Sequence, residues 1–312
     1  MKFAVIGAGA VGGYYGALLA RSGFEVHFLL HGDFEYVREN GLLVESKDGD
    51  FALESVNAYD RASDLPVCDV VIVALKTTQN HHLKSILPEV VKKNGIVVLL
   101  QNGLGVEAEI AELLPEATVI GGLCFLCSNK VGAGHIRHLD YGSIRMGQFS
   151  KDEKPAGITK KLKFVADAFG KAGIPVHLAE NLGKARWEKL VWNMSYNGMS
   201  VVLNATTDEL MKDPASKKLV EQIMQEVIAG ARACGFEMAE GFAKQMLTAT
   251  EKMVAYRPSM KLDFEAGREL EIASIYWRPI QAAAGNSCEM KAAAVLARQL
   301  EYLDRRNRSG LF

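Results

Sequence analysis

Residues 7–12 read GAGAVG, and no other six residues limit the fold of this chain so strongly. The strand formers KFAVI (2–6) run directly into them, and the apolar stretch GYYGALLARSG (13–23) follows. A bare GxGxxG pattern says little. Placed between a strand and a helix near the start of a chain, it is a fingerprint for binding a dinucleotide. In this reading Gly7 permits the tight turn, Gly9 lets the backbone approach a pyrophosphate, and Gly12 allows helix and strand to pack closely. Ala8, Ala10 and Val11 complete a loop whose N–H groups, with the positive end of the helix behind them, face the phosphates.

The rest of the first half fits a sheet built around that turn. EVHFLL (25–30), CDVVIVALK (68–76), GIVVLLQNG (95–103) and TVIGGLCFLC (118–127) read as strands. LLVES and FALES flank the turn KDGD as a hairpin, and helices are expected at about 79–92 and 104–114. GHIRHL and GSIRMG look like a pair of antiparallel strands, and IPVHLA (174–179) a last short one. Strands alternating with helices over short loops imply a mostly parallel sheet covered on both faces. From about residue 181 the chain turns Ala-, Met-, Leu-, Glu- and Lys-rich, with helical character throughout. The expectation is α/β, with a Rossmann-type doubly wound sheet in residues 1–180 and an all-α domain in residues 181–312.

Length and composition exclude other classes. The 312 residues suffice for two domains, and 49% hydrophobic with 23% charged residues is ordinary for a globular protein. Net charge is −1. No basic surface suited to nucleic acid is implied, and the basic stretch DRRNRSGLF is short. No run of ~18 apolar residues that could span a membrane is present, and the N-terminal stretch lacks the pattern of a secretion signal. Five cysteines without such a signal fit reduced thiols in the cytosol. Cys124 and Cys127 form a CxxC, but within a strand-like run their side chains point to opposite faces. His135 and His138 fail as a metal pair for the same reason, so no metal is expected.

The end of the second strand usually distinguishes NAD from NADP, through an acid for ribose hydroxyls or an arginine for the 2′-phosphate. Here the residues are Leu30, His31, Gly32 and Asp33. His31 can hydrogen-bond a phosphate and carries charge when protonated, which favours NADP. A second unusual stretch is ARWEKLVWNMSYNG (185–198), where Lys189, Asn193 and Asn197 recur every fourth residue in an otherwise apolar run. At ~100° per residue, Asn193 lies about 40° and Asn197 about 80° round the helix from Lys189, giving one slanted stripe. Trp192 and Tyr196 border it on one side, Leu190 and Met194 on the other. Such a border suits a pocket wall. A structural alternative is an interdomain hydrogen-bond network.

Taken in order, these motifs resemble the ketopantoate reductase family over nearly the whole length. GAGAVGGYYGALLARSGFEV resembles its nucleotide motif. VIVALKTTQ resembles the strand whose Lys and Gln lie near the cofactor, here Lys76 and Gln79. LLQNGLG resembles its Asn-Gly turn, which nominates Asn102; at the carboxyl end of a buried strand, where ligands of open α/β sheets bind, its expected role is to orient Lys189 or to contact the substrate or the nicotinamide ribose. GGLCFLCSNKVGAGHIRHLDYGSIRMG resembles the strands that close its first domain. RWEKLVWNMSYN resembles the segment with the catalytic lysine, implying Lys189 as general acid and Asn193 and Asn197 as substrate ligands. RPSMKLDFEAGRELEI resembles the segment supplying a substrate-binding serine and an acid, implying Ser259 and Glu271. The family usually carries a basic residue, commonly Arg, where this chain has His31, and EIASIYWRP departs from what commonly follows its acid.

The resemblance implies NADPH-dependent reduction of 2-dehydropantoate to pantoate, with the helical domain closing over the cofactor. A ketone reduction needs a hydride from the cofactor and a proton from the protein. An ammonium with an unperturbed pKa of ~10.4 is charged at neutral pH, and desolvation makes it a better donor. Glu271 would hydrogen-bond the substrate hydroxyl or set the charge state of Lys189. Structural alternatives are a plain turn for Asn102, a helix cap for Ser259 and solvated positions for Glu271 and Lys76. Other functions kept open are reduction of a different 2-oxo acid, a 3-hydroxyacid-type dehydrogenase, and a non-catalytic NADP-binding sensor. The expected partner is a small 2-oxo acid, and monomer and homodimer both stay open.

Overall fold

A computed structural model describes residues 1–152, 154–253 and 255–310. The chain forms two compact units, Met1–Gln101 with Val106–Leu182, and Asn102–Gly105 with Gly183–Phe312.

The first unit is a sheet of β1 (Lys2–Ile6), β2 (Glu25–Leu29), β3 (Leu42–Ser46), β4 (Phe51–Leu53), β5 (Asn57–Tyr59), β6 (Cys68–Val73), β7 (Val91–Leu99), β8 (Thr118–Gly132), β9 (His135–Gln148) and β10 (Val176–Leu178). Its order is β4-β3-β9-β8-β7-β6-β1-β2-β5, with β10 paired to β9. Among the described residues only β3–β4 and β8–β9 are antiparallel pairs. The helices are α1 (Ala10–Arg21), α2 (Phe34–Asn40), α3 (Leu83–Val90), α4 (Val106–Leu113) and α5 (Lys160–Lys171).

Alternation along the central strands feeds two cores. Phe3, Val5, Val70, Ile72 and Val98 join Tyr15 and Leu19 of α1 and Phe169 of α5. Their sequence neighbours Ala4, Ile6, Val71, Val73, Val97 and Leu99 join Leu83 and Leu87 of α3 and Ile110 of α4. A strand covered on both faces reads as a continuous apolar run, which is why the residues VVIV after Asp69 show no polar alternation.

Three local expectations are corrected. GHIRHL and GSIRMG are not partners; they are the two halves of β9, and their antiparallel partner is β8. Tyr141 and Gly142, at φ 60° and 133°, make a bulge opposite Leu126 that imitates a turn in sequence. The helix expected over 79–92 is a 3₁₀ stretch, Thr77–His82, followed by α3. β7 starts at Val91, because Val91 pairs with Cys68 before a register shift, and it ends at Leu99.

The second unit is helical: α6 (Leu182–Val202), α7 (Thr207–Lys212), α8 (Pro214–Ala233), α9 (Phe242–Glu251), α10 (Ser259–Glu265), a π-helical turn Ala273–Trp277, α11 (Arg278–Gly285) and α12 (Lys291–Arg308). Caps are written into the sequence. Thr206 and Glu209 form a capping box on α7, and Asp213 accepts the Ser216 N–H at 2.7 Å ahead of Pro214. Trp187, Val191, Met194, Tyr196, Val227, Tyr276 and Leu300 lie in one buried core. Among the described residues no helix is long and apolar enough to cross a membrane.

Candidate functional site

In the first unit the glycine loop lies at the carboxyl end of β1, between β2 and β6. Each glycine answers a different demand. Gly7 is at φ 95°, and a Cβ there would stand 2.7 Å from the Leu75 backbone nitrogen. A Cβ on Gly12 would stand 2.2 Å from the Gly7 carbonyl oxygen and 2.9 Å from the Ala74 Cβ. Gly9, by contrast, would meet nothing within 4 Å. It is the N-cap of α1 at φ −79°, and Gly13 N–H donates to its carbonyl at 2.8 Å. The space before Gly9 and the N–H groups of the first turn, which holds no acidic residue, form a cradle that fits a pyrophosphate.

Lys76 and Gln79 follow β6, which pairs directly with β1, so both come to the same edge of the sheet as the glycine loop. Lys76 precedes the 3₁₀ stretch, and its carbonyl accepts the Gln79 N–H at 2.9 Å. What holds this loop is a set of side chains with no motif in sequence. Gln101 Nε2 donates to the Leu75 carbonyl at 2.8 Å and to Asn80 Oδ1 at 2.6 Å, and Asn80 Nδ2 donates to Glu109 Oε2 at 3.1 Å. A buried Gln directly before the Asn-Gly turn was the available signal. His31 is exposed just past β2, on the other side of β1.

In the second unit α6 carries Lys189, Asn193 and Asn197. Leu190, Met194 and Tyr196 beside them are buried, and Trp192 packs against the same core. Asn193 and Asn197 are themselves buried, Asn197 to 1% exposure. Its Nδ2 has no hydrogen-bond partner among the described residues. A structural amide network would satisfy that group, because a buried donor left unpaired costs free energy.

The loop Asn102–Gly105 docks on the π-helical turn. Leu104 N–H donates to the Ser274 carbonyl at 2.9 Å, and a Cβ on Gly103, at φ 95°, would stand 2.5 Å from the Ser274 Cβ. That brings Asn102 beside the segment that begins at the buried Glu271, whose carbonyl accepts the Ser274 hydroxyl at 3.4 Å. The same turn meets α6, since Tyr276 Oη donates to the Met194 carbonyl at 2.7 Å. Asn102, Glu271 and the α6 stripe are thus linked through one π-helical turn, a feature frequent at functional sites. Ser259 is the first residue of α10, with Pro258 at the N-cap position, so it is not itself the cap. Its helix is tied through Lys261 to Asn204, beyond the end of α6 opposite to Lys189.

Among the described residues no group of three potential metal ligands exists. Cys124 and Cys127 both lie within β8, separated by the bulge at Leu126.

Comparison with known proteins gives this geometry a context. Residues 3–151 match the family described as ketopantoate reductase PanE/ApbA, and residues 181–303 match its C-terminal domain. The chain is 54% identical to the 2-dehydropantoate 2-reductase of Nostoc sp., over 99% of this chain and 97% of that one. Its fold is similar to the crystal structure of 2-dehydropantoate 2-reductase from Geobacter metallireducens GS-15, with a TM-score of 0.92, 40% identity, and coverage of 97% of this chain and 99% of that one. The corresponding enzyme from Methylococcus capsulatus gives a TM-score of 0.89 at 30% identity, covering 98% of each chain. The chain belongs to the ketopantoate reductase family and is an oxidoreductase.

Proposed function

We propose that the chain reduces 2-dehydropantoate to pantoate with NADPH in the cytosol, a step toward pantothenate and coenzyme A. The family supports the reaction, and the observation that carries the site is the unsatisfied Asn197 amide on the same helical stripe as Lys189 and Asn193. A bound substrate supplies what that amide lacks, a carboxylate or hydroxyl oxygen to accept its N–H.

The residues divide the work as follows. The glycine loop Gly7–Gly12 holds the pyrophosphate on the α1 N-terminus, with His31, Lys76, Gln79 and Asn102 along the rest of the dinucleotide. When bound, the dinucleotide supplies the hydride. Lys189 holds the proton on Nζ and donates it to the substrate carbonyl oxygen as negative charge develops there. Asn193, Asn197 and Ser259 orient the substrate, and Glu271 accepts from its hydroxyl or keeps Lys189 charged.

Purified protein mixed with NADPH and 2-dehydropantoate tests the reading, followed at the reduced nicotinamide band. Loss of that band with equimolar pantoate is expected. No oxidation with this substrate, alongside turnover of another 2-oxo acid, overturns the substrate assignment.

A further inference from the structure

The acid that follows β2 is already engaged. Asp33 Oδ2 lies 2.5 Å from Lys130 Nζ and accepts the Gly134 N–H at 3.0 Å. Both partners come from the β8–β9 hairpin, Lys130 near the end of β8 and Gly134 in its turn. An acid so paired is a poor acceptor for ribose hydroxyls, which removes the usual feature favouring NAD at this place. The pair is also lopsided. The Lys130 side chain is 36% exposed and that of Asp33 13%, so the cation forms the outward end.

The same hairpin reaches the glycine loop, where Ser128 Oγ donates to the Ala10 carbonyl at 3.3 Å. At its turn it abuts α2, where a Cβ on Gly134 would stand 2.9 Å from the Gly41 carbonyl and 3.1 Å from a Val37 methyl. It therefore runs from the pyrophosphate cradle to the loop after β2, the span covered by the adenosine half of a dinucleotide. Other charges after β2 are engaged with one another: Arg38 pairs with Glu35 and Glu39 and lies over the Phe34 ring. His31 carries charge only when protonated. We propose that Lys130 supplies the permanent cation that reads the 2′-phosphate of the dinucleotide, with His31 as its hydrogen-bonding companion. Its ammonium has three donors, of which Asp33 uses one and fixes the direction of the others.

This inference rests on the NADPH reading above, and binding of half-ligands to the full chain separates the two. Calorimetry with 2′,5′-ADP and 5′-AMP measures the 2′-phosphate contribution without turnover. The wild-type protein is expected to bind 2′,5′-ADP at least about tenfold more tightly than 5′-AMP, as one hydrogen bond between charged groups allows. Lys130→Met should erase about tenfold of that ratio while leaving 5′-AMP affinity in place, and Lys130→Arg should restore it. A wild-type protein that does not discriminate defeats the NADPH reading itself, and the inference with it. Discrimination in the wild type that survives in Lys130→Met, or equal weakening of both ligands, leaves Lys130 as a clamp on the hairpin and overturns the inference alone. If Lys130→Met does not fold, Lys130→Gln is measured against Lys130→Arg, with the same two outcomes.

Discussion

Gly9 caps α1 and Gly12 lies in its first turn, yet they resist substitution for different reasons. A methyl group on Gly12 has no room against the Gly7 carbonyl and Ala74. Gly12→Ala should therefore lower stability by several kcal/mol, on the order of the largest single-site effects. A methyl group on Gly9 enters open space, and φ of −79° suits any residue. Gly9→Ala should unfold within about 0.5 kcal/mol of wild type but bind NADPH more weakly, because the methyl occupies the approach of the phosphates. Parallel urea melts and coenzyme titrations check this; equal destabilisation by both changes contradicts the division. The opposite pattern belongs to Asn197. Its buried, unpartnered amide costs about 1–3 kcal/mol in the free protein. Asn197→Leu should keep or raise the melting temperature while raising KM for the oxo acid, whereas a fall in stability would show the amide to be satisfied. Lys189→Ala should lower kcat by about 10²–10⁴-fold and leave coenzyme affinity unchanged, which stopped-flow turnover and a fluorescence titration measure separately.

At the scale of elements, the second unit depends on how the π-helical turn seats on α6. Gly198 provides the seat, since a Cβ there would stand 2.4 Å from Tyr276 Oη and 2.8 Å from Leu296 Cδ2. Alanine favours a helix over glycine by about 1 kcal/mol, but overpacking of this kind costs about 1–3 kcal/mol. Gly198→Ala should thus destabilise, and Tyr276→Phe alone should cost about 1 kcal/mol through its hydrogen bond to Met194. Removing the hydroxyl also removes the closest clash, so the double variant should lose less than the sum of the two. A stabilising Gly198→Ala would refute the seat. None of this was legible in EIASIYW, because a π-helical turn leaves no hydrophobic period of its own and its cause lies in a glycine 78 positions away. The glycine loop and the central strands were legible, since their demands are local: a turn needing φ > 0, and near-continuous apolar runs such as VVIV and IVVL. The β9 strand was misread where Tyr141 adopts a positive φ without a glycine. The pairing of Lys130 with Asp33 joins residues 97 apart in the chain, so no spacing rule could have shown it.

Across the whole molecule, burial holds Tyr14 and Tyr15 of the first unit and Tyr196 and Tyr276 of the second protonated. Burial, helped by the nearby Asp48 carboxylate, pushes Tyr14 from an ordinary 10.0 up to about 12. Burial alone dominates at Tyr196, also pushed to about 12. Tyr15 and Tyr276 are raised by the same cause. An unfolded chain releases these protons near pH 10, whereas the folded protein keeps those of Tyr14 and Tyr196 to about pH 12 and holds Tyr15 and Tyr276 raised as well. The stability they contribute is therefore complete below pH 10 and is lost as pH rises toward 12. Because both units hold such groups, neither should outlast the other as a folded remnant in strong alkali. A titration that follows tyrosinate absorbance and far-ultraviolet circular dichroism together should show the helical signal intact through pH 10, with these four rings still protonated. The buried set should then ionise in one step with loss of that signal. Ionisation of Tyr14, Tyr15, Tyr196 and Tyr276 near pH 10 in a protein that keeps its circular dichroism contradicts the burial of these rings. A helical signal that survives after half the buried set has ionised contradicts the distribution of that set over both units.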